Sequence, residues 1–342
     1  MAKLVSAMPQ WRFDAAKVEI PAQWDVSFVN PANAADLIAA CQQAACLLVP
    51  ASFPVINADT LQHISQLKLI QTVGAGYDLI DVTAAAGLGV PVANVPGANA
   101  NSVAEFTVGV IIALQRQLLV TDRETKAGQY STVRQAVFRA GLKEIAGSVI
   151  GLVGLGAIGR QTARILRLLG ATVYYYSRSG QSRELEAELG IAYKPLAALL
   201  SQSDIVSVHV PLTEETRHML GRYELGLLPP DSLLINTARG EVVDQQALAE
   251  MLAKGNIAGA AIDVVAPEPP PATHPLLNLP PAARDRLLIT PHIAGVTLGS
   301  FRNMLTLALD NIDRVLHGEW PRNVVNGVVP PDSSNSPSDR KG

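Results

Sequence analysis

Arg239, Glu268 and His292 are the side chains of this 342-residue chain whose types and spacing could do chemistry together. Arg239 follows Asn236-Thr237-Ala238 and precedes Gly240. Glu268 lies in the proline loop Ala266-Pro267-Glu268-Pro269, just past Asp263, and His292 lies in Thr290-Pro291-His292-Ile293-Ala294-Gly295. Each follows an aliphatic run that reads as a strand, so all three fall at strand ends. An imidazole titrates near neutrality and is the commonest proton-transfer group. A carboxylate beside it can orient the ring and balance its charge. A guanidinium presents a planar fork that fits a substrate carboxylate. Taken singly, each residue more often serves a structural role.

A glycine-rich stretch supplies what such groups need to act with. Gly151–Arg160 reads Gly-Leu-Val-Gly-Leu-Gly-Ala-Ile-Gly-Arg, between the β-branched Ser148-Val149-Ile150 and the amphipathic Gln161–Leu169, which Gly170 closes. Strand, glycine turn and helix is the context in which G-x-G-x-x-G signifies dinucleotide binding. Gly154 allows the tight turn, Gly156 admits a pyrophosphate to the backbone, and Gly159 lets the helix pack closely on its strand. The pyrophosphate then sits at the positive helix end, over Ala157 and Ile158.

In NAD-binding units an acidic residue usually ends the second strand and bonds the ribose hydroxyls. Here the strand Thr172–Tyr176 runs into Ser177-Arg178-Ser179, with no carboxylate until Glu184. Removing the acid removes repulsion against a 2′-phosphate, and Arg178 with two hydroxyls can bind one. A hydrogen bond to a charged group contributes about 1.5–3 kcal/mol, so NADP(H) is expected to be preferred, with NAD(H) possible. The alternative is an Arg178 that lies on the surface or stacks on adenine.

The elements that must position these groups alternate in type. Strands are expected at Lys3–Ser6, Ala45–Val49, Leu69–Val73 and Val90–Val95, then at Thr172–Tyr176, Asp204–Val210, Ser232–Thr237, Ile257–Asp263 and Leu287–Thr290. Helix patterns lie between them, so the fold class is α/β, with two Rossmann-like or flavodoxin-like domains built on parallel sheets. In such sheets a ligand lies beyond the carboxyl ends of the strands. The expected division is a substrate domain of residues 1–98 and 294–329, a nucleotide domain of 99–293 inserted within it, and a disordered tail of 330–342. A short helix from Asp59 is expected to be capped by Asp59 or Thr60. A long buried helix is expected from Asn99 to the Arg123–Gly128 region, with a capping box of Ser102 and Glu105. Gln129–Ala146 reads as irregular, suited to an arm that reaches a second subunit. A final helix is expected at Leu298–Leu316. The small residues Gly74-Ala75-Gly76 after a strand either expose backbone N–H groups of the kind that cradle a carboxylate or form an ordinary strand-to-helix turn.

Composition narrows the classes. Hydrophobic residues make up 48%, charged residues 17%, and the formal net charge is −3, which gives no footprint for nucleic acid or a membrane surface. The apolar run Val108–Leu119 is broken by Gln115, Arg116 and Gln117, so it suits a buried helix better than a membrane span. The first residues lack the regions of a secretory signal, and the two cysteines, Cys41 and Cys46, fit no metal or redox spacing. A cytoplasmic protein with reduced core thiols and no bound metal is the expectation.

The joint pattern of Arg-Gly after one strand, Asp then Glu-Pro after the next, and Pro-His after the last resembles the D-isomer-specific 2-hydroxyacid dehydrogenase family. The resemblance covers about Leu69 to Val329, and Ser177-Arg178-Ser179 makes it most like the NADP-preferring glyoxylate/hydroxypyruvate reductases. It implies reduction of a small 2-oxo acid, with His292 as general acid, Glu268 orienting it, and Arg239 holding the substrate carboxylate together with the backbone of Ala75 and Gly76. Asn99 matches a polar pocket position in some members. Asp263 matches the residue that contacts the nicotinamide amide. Val210, Pro211, Thr216, Thr237, Ala238, His292 and Gly295 match cofactor-lining positions, and a homodimer is implied. Phe138, Leu298, Arg302 and Met304 are candidates to line the substrate pocket, with Arg302 either a second anion contact or a helix-surface residue. Formate-oxidising members carry Gln where this chain has Glu268, and phosphite-oxidising members carry a Lys in the Gly74–Gly76 loop; neither departure is present. Phosphoglycerate dehydrogenases and 2-ketogluconate reductases stay open, although no regulatory domain is read after Val329. So does a cofactor-sensing corepressor that keeps the same residues without turnover.

Overall fold

The computed structural model describes residues 3–30, 33–51 and 55–330. From residue 331 on, the expected disordered tail lies outside the described residues. The chain divides into two compact units, one formed by residues up to Asn99 with those from Thr297 on, the other by Ala100–Val296.

The first unit is a parallel sheet of β1 (Lys3–Ser6), β2 (Asp25–Phe28), β3 (Cys46–Pro50), β4 (Leu69–Val73) and β5 (Val92–Ala93), in the order β2-β1-β3-β4-β5. Its central strands β1, β3 and β4 are almost wholly buried, Gln71 and Thr72 of β4 included, because both faces are covered. Alternation then sorts the side chains. Leu4, Cys46, Leu48 and Leu69 join Phe13, Leu305 and Ile312 on one face, whereas Val5, Leu47, Val49 and Ile70 join Leu37, Leu61 and Ile64 on the other. Cys41 and Cys46 are buried, and desolvation pushes both thiols up to about 12. The final helix, Leu298–Leu316, has the expected bounds and is capped by the Thr297 hydroxyl, which accepts the Ser300 N–H at 3.0 Å.

The second unit is a seven-stranded parallel sheet: β6 (Val149–Val153), β7 (Thr172–Tyr176), β8 (Ile191–Tyr193), β9 (Ile205–Val208), β10 (Leu233–Asn236), β11 (Gly259–Ile262) and β12 (Leu287–Ile289). The order is β12-β11-β10-β9-β6-β7-β8, so the winding reverses between β6 and β9. That reversal is where doubly wound sheets bind ligands. Gly151 in β6 is there for packing, since a Cβ on it would lie 2.4 Å from Leu199 Cδ2 on the helix Leu196–Gln202.

Several local expectations are corrected. Strands β2 and β8 were not anticipated. The helix near residue 58 spans Ala58–His63 and is capped by Asn57, whose Oδ1 accepts the Thr60 N–H at 2.9 Å, not by Asp59 or Thr60. Asn serves as well as Asp at that position. The long helix begins at Ala100, directly out of the turn at Pro96–Asn99, so Ser102 lies inside it and does not cap it. It stops at Gln115 and is followed by Leu118–Lys126, bent by 58° at Gln117, a non-glycine residue at φ 52°. The segment read as irregular contains a helix, Tyr130–Ala140, on which no residue is buried. Among the described residues no single helix is long and apolar enough to cross a membrane, and no cluster of three or more His, Cys, Asp and Glu could hold a metal ion.

Candidate active site

The glycine turn fits a dinucleotide on its own geometry. Gly154 sits at φ +105°, and a Cβ on it would lie 2.5 Å from the carbonyl oxygen of His209 at the end of β9. A Cβ on Gly159 would lie 2.4 Å from the Gly154 carbonyl oxygen, so this glycine lets the helix approach the turn itself. At Gly156 a Cβ would meet nothing within 4 Å, which is the open space a pyrophosphate needs. Gly156 is also the N-cap of the helix Ala157–Leu168 and provides no side-chain cap, so the amides of its first turn stay available to an anion. Gly156 and Ala157 are exposed and Ile158 is half-buried.

The ring Nδ1 of His292 lies 3.0 Å from Glu268 Oε1 and 3.2 Å from Oε2. An ionised carboxylate only accepts, so Nδ1 carries the proton in this pair and Nε2 is not engaged by Glu268. Both side chains keep solvent access, at 34% and 45% exposure, which lets the ring exchange protons. His292 occupies the left-handed region at φ 54°, a conformation that costs a non-glycine residue of order 1–3 kcal/mol. Asp263 holds it there. The Asp263 carbonyl accepts the His292 N–H at 2.8 Å; its Oδ1 accepts the Thr290 hydroxyl at 2.6 Å and the Ile293 N–H at 2.9 Å; its Oδ2 accepts the Ala294 N–H at 2.9 Å. Asp263 is 2% exposed, and Oδ2 retains accepting capacity beyond its Ala294 bond. The carboxylate therefore has an anchoring role that sequence reasoning missed.

Arg239 is half-buried and extended, with one guanidinium N–H donated to the Ala238 carbonyl at 2.8 Å. Asn236 shapes this turn, accepting the Ala238 N–H at 3.0 Å and donating to the Arg239 carbonyl at 2.9 Å. The next residue ties the Arg239 loop to the one that bears Glu268. A Cβ on Gly240 would lie 2.5 Å from the Val265 carbonyl carbon and 2.7 Å from the Ala266 nitrogen. Two further side chains unremarked in the sequence, Gln245 and His274, bond the backbone of Ala266.

Around the nucleotide turn, Ser177 donates its hydroxyl to the Ser179 carbonyl at 2.5 Å, closing a tight loop from which Arg178 and Ser179 are exposed. The Thr216 hydroxyl is spent on its own loop, accepting the Thr213 N–H at 2.7 Å and donating to the Pro211 carbonyl at 2.6 Å. It acts there as a brace for Val210 and Pro211. Thr237 is buried, its hydroxyl 3.4 Å from that of Thr107, Ala238 and Gly295 are half-buried, and Val210 Cγ1 flanks Gly154. The Glu215 carboxyl is held below the usual range, chiefly by the Thr213 hydroxyl and by backbone N–H, with a smaller contribution from the charge of Arg178. Burial pushes the His209 imidazole down to about 4, although the residue keeps some exposed surface, and its Nε2 lies 3.0 Å from the Ser207 hydroxyl.

In the first unit the Gly74–Gly76 loop is preorganised. Gly74 lies at φ +140°. Its carbonyl accepts the Val95 N–H at 3.0 Å and the Thr72 hydroxyl at 3.1 Å, and Asn94 Nδ2 donates to the Ala75 carbonyl at 2.7 Å. Ala75 is exposed and Gly76 half-buried. Asn99 Oδ1 is buried with no hydrogen-bond partner among the described residues. Of the pocket candidates, Met304 is buried with Sδ 3.9 Å from a Cβ built on Gly74, whereas Leu298 and, in the other unit, Phe138 are 61% and 78% exposed. Arg302 donates Nε–H to the Ala16 carbonyl at 2.9 Å, the bond of a helix-surface residue.

A parallel sheet with a dinucleotide turn at its winding reversal, and a histidine–glutamate pair past the ends of later strands, fits the class of nicotinamide-nucleotide dehydrogenases. Residues 108–294 match the family model of the D-isomer specific 2-hydroxyacid dehydrogenase NAD-binding domain. A glyoxylate reductase of Thermofilum pendens is 40% identical over 274 residues, 80% of this chain and 79% of that protein. Among solved structures, the holo form of Rhodotorula graminis D-mandelate dehydrogenase superposes with a TM-score of 0.83 at 26% identity, covering 96% of this chain and 98% of that one. The NADPH-dependent glyoxylate/hydroxypyruvate reductase of Sinorhizobium meliloti, in complex with NADP and malonate, gives 0.79 at 27% identity, covering 95% and 96%. The chain belongs to the D-isomer-specific 2-hydroxyacid dehydrogenase family.

Proposed function

We propose that the chain reduces a small 2-oxo acid of the glyoxylate or hydroxypyruvate type to the D-2-hydroxy acid, with NADPH preferred over NADH. The observation that carries the mechanism is the Glu268–His292 pair, 3.0 Å apart, with His292 on a loop that the Asp263 carboxylate locks. When bound, the nicotinamide supplies a hydride to the carbonyl carbon. His292 Nε2 gives the proton to the carbonyl oxygen, and the neutral ring is recharged from solvent. Glu268 keeps the ring facing the oxygen and balances the imidazolium charge. Arg239 binds the substrate carboxylate through its planar fork, and the amides of Ala75 and Gly76 are the second carboxylate contact. Asp263 would contact the nicotinamide carboxamide. Gly154, Gly156 and Gly159 would admit the pyrophosphate, and the Ser177-Arg178-Ser179 loop would hold the 2′-phosphate, with Ser177 turning its hydroxyl from the Ser179 carbonyl to do so.

A homodimer is part of the same proposal, supported by the exposed aromatics Phe138 and Tyr130 on a helix with no buried residue. Light scattering that returns a monomer would remove it. The activity is tested by NADPH oxidation over glyoxylate, hydroxypyruvate, pyruvate, phenylpyruvate and 2-ketogluconate, with the product's configuration read on a chiral column. Turnover on the first two with D-product is expected. Fastest turnover on 2-ketogluconate replaces the substrate assignment, and tight NADPH binding without turnover on any acid supports a sensor instead.

A further inference from the structure

We infer that Gln245 and His274 are positioning residues for the reaction, which hold Glu268 at His292 by fixing the backbone of Ala266. The inference rests on the proposed role of Glu268. The loop reads Ala266-Pro267-Glu268-Pro269-Pro270-Pro271-Ala272-Thr273-His274, so four of its residues have no N–H with which to pair. Such a loop cannot be held by a backbone ladder and depends on anchors at its ends. Gln245 supplies one. Its Oε1 accepts the Ala266 N–H and its Nε2 donates to the Ala266 carbonyl, both at 3.1 Å, so one amide pairs with both backbone groups as a neighbouring strand would. Gln245 is the first residue of the helix Gln245–Lys254, which Asp244 caps by accepting the Ala247 N–H at 2.9 Å, so the anchor stands on a rigid element.

His274 supplies the other anchor. The residue is 4% exposed. Nδ1 accepts the Leu276 N–H at 3.3 Å, which leaves Nε2 protonated to donate to the same Ala266 carbonyl at 3.2 Å. The far end of the proline loop is thereby tied back to its start, and the carbonyl fills both lone pairs. Gly240 presses on Val265 and Ala266 from the Arg239 side, so Ala266 is the node at which both loops meet. Glu268 is two residues beyond this node. A rotation there carries its carboxylate away from a 3.0 Å contact, and a misplacement of about 1 Å in a catalytic arrangement costs up to ~100-fold in rate.

The test is a double-mutant cycle on the full chain with Gln245→Glu and Glu268→Ala, reading kcat, NADPH Kd and Tm. Gln245→Glu keeps the acceptor for the Ala266 N–H but turns an oxygen toward the Ala266 carbonyl. It is expected to lower kcat about tenfold or more with NADPH Kd unchanged, and to cost less than about twofold once Glu268 is already removed. His274→Asn is the second variant. A shorter amide can still accept the Leu276 N–H but does not reach Ala266, so kcat is expected to fall while Tm stays near wild type. An equal loss in both backgrounds, or Gln245→Glu and His274→Asn both within twofold of wild type while Glu268→Ala is impaired, overturns the inference alone. A Glu268→Ala enzyme with wild-type kcat overturns the role of Glu268 and the inference with it.

Discussion

Replacing Asp263 with Asn separates an anchor from a mere cofactor contact. The wild-type carboxylate serves three donors, with Thr290 Oγ1 and the Ile293 N–H on one oxygen and the Ala294 N–H on the other. An amide can present its oxygen to only one side. If the oxygen keeps Thr290 and Ile293, the NH2 group faces the Ala294 N–H, and a buried donor left unsatisfied costs about 1–3 kcal/mol. Weakening of the two remaining charge-assisted bonds brings the loss to about 2–4 kcal/mol. That is comparable to the ~1–3 kcal/mol of strain in the left-handed His292, so the loop is expected to relax and carry the ring away from Glu268. At about 2–4 °C per kcal/mol for a domain of this size, Tm should fall by roughly 5–10 °C. Stopped-flow oxidation of saturating NADPH by hydroxypyruvate should show kcat reduced about 100-fold. Wild-type kcat and Tm with only KM for NADPH raised would refute the anchoring role and leave a simple nicotinamide contact.

Arg239→Ala should lower kcat/KM for the 2-oxo acid by about 100-fold while NADPH Kd, read by fluorescence titration, is spared; an equal loss in cofactor affinity would argue against a substrate contact. Arg178→Ala should shift the NADPH-to-NADH ratio of kcat/KM by about ten- to hundredfold toward NADH, and an unmoved ratio would return Arg178 to the surface. Stability should depend on pH through His209, whose imidazole is pushed down to about 4 in the folded chain. The unfolded state then binds the extra proton, so this contribution is complete above pH ~6.5 and is lost as pH falls toward 4, at up to ~1.4 kcal/mol per pH unit. Urea unfolding of His209→Gln should show a shallower acid slope than wild type; identical slopes would show that the ring is not held neutral.

The strand-end placement of Arg239, Glu268 and His292 was legible because each comes after a strand, and in a parallel sheet such ends lie along one edge whatever the intervening helices do. The glycine turn was legible for the same local reason. Strands β2 and β8 were not: Asp25–Phe28 and Ile191–Tyr193 are short edge strands without the aliphatic run that marks Leu287–Ile289 at the other edge of the second sheet. The helix Tyr130–Ala140 buries no side chain, and although Tyr130, Val133, Val137 and Ala140 recur at helical spacing, the reading of the segment as irregular passed over that pattern. Gln117 breaks the long helix without the glycine or proline that announces a break. The anchoring work of Asp263, Gln245, His274 and Asn94 depends on tertiary contacts to backbone atoms, which leave no periodic trace in a single sequence.

The most direct test of proton delivery by His292 is the turnover of hydroxypyruvate with saturating NADPH by the wild-type chain and by His292→Ala, with NADPH Kd measured on both. Loss of a positioned general acid costs about 10²–10⁴ in rate, so kcat is expected to fall in that range with Kd unchanged. A His292→Ala enzyme with near-normal kcat would contradict the account.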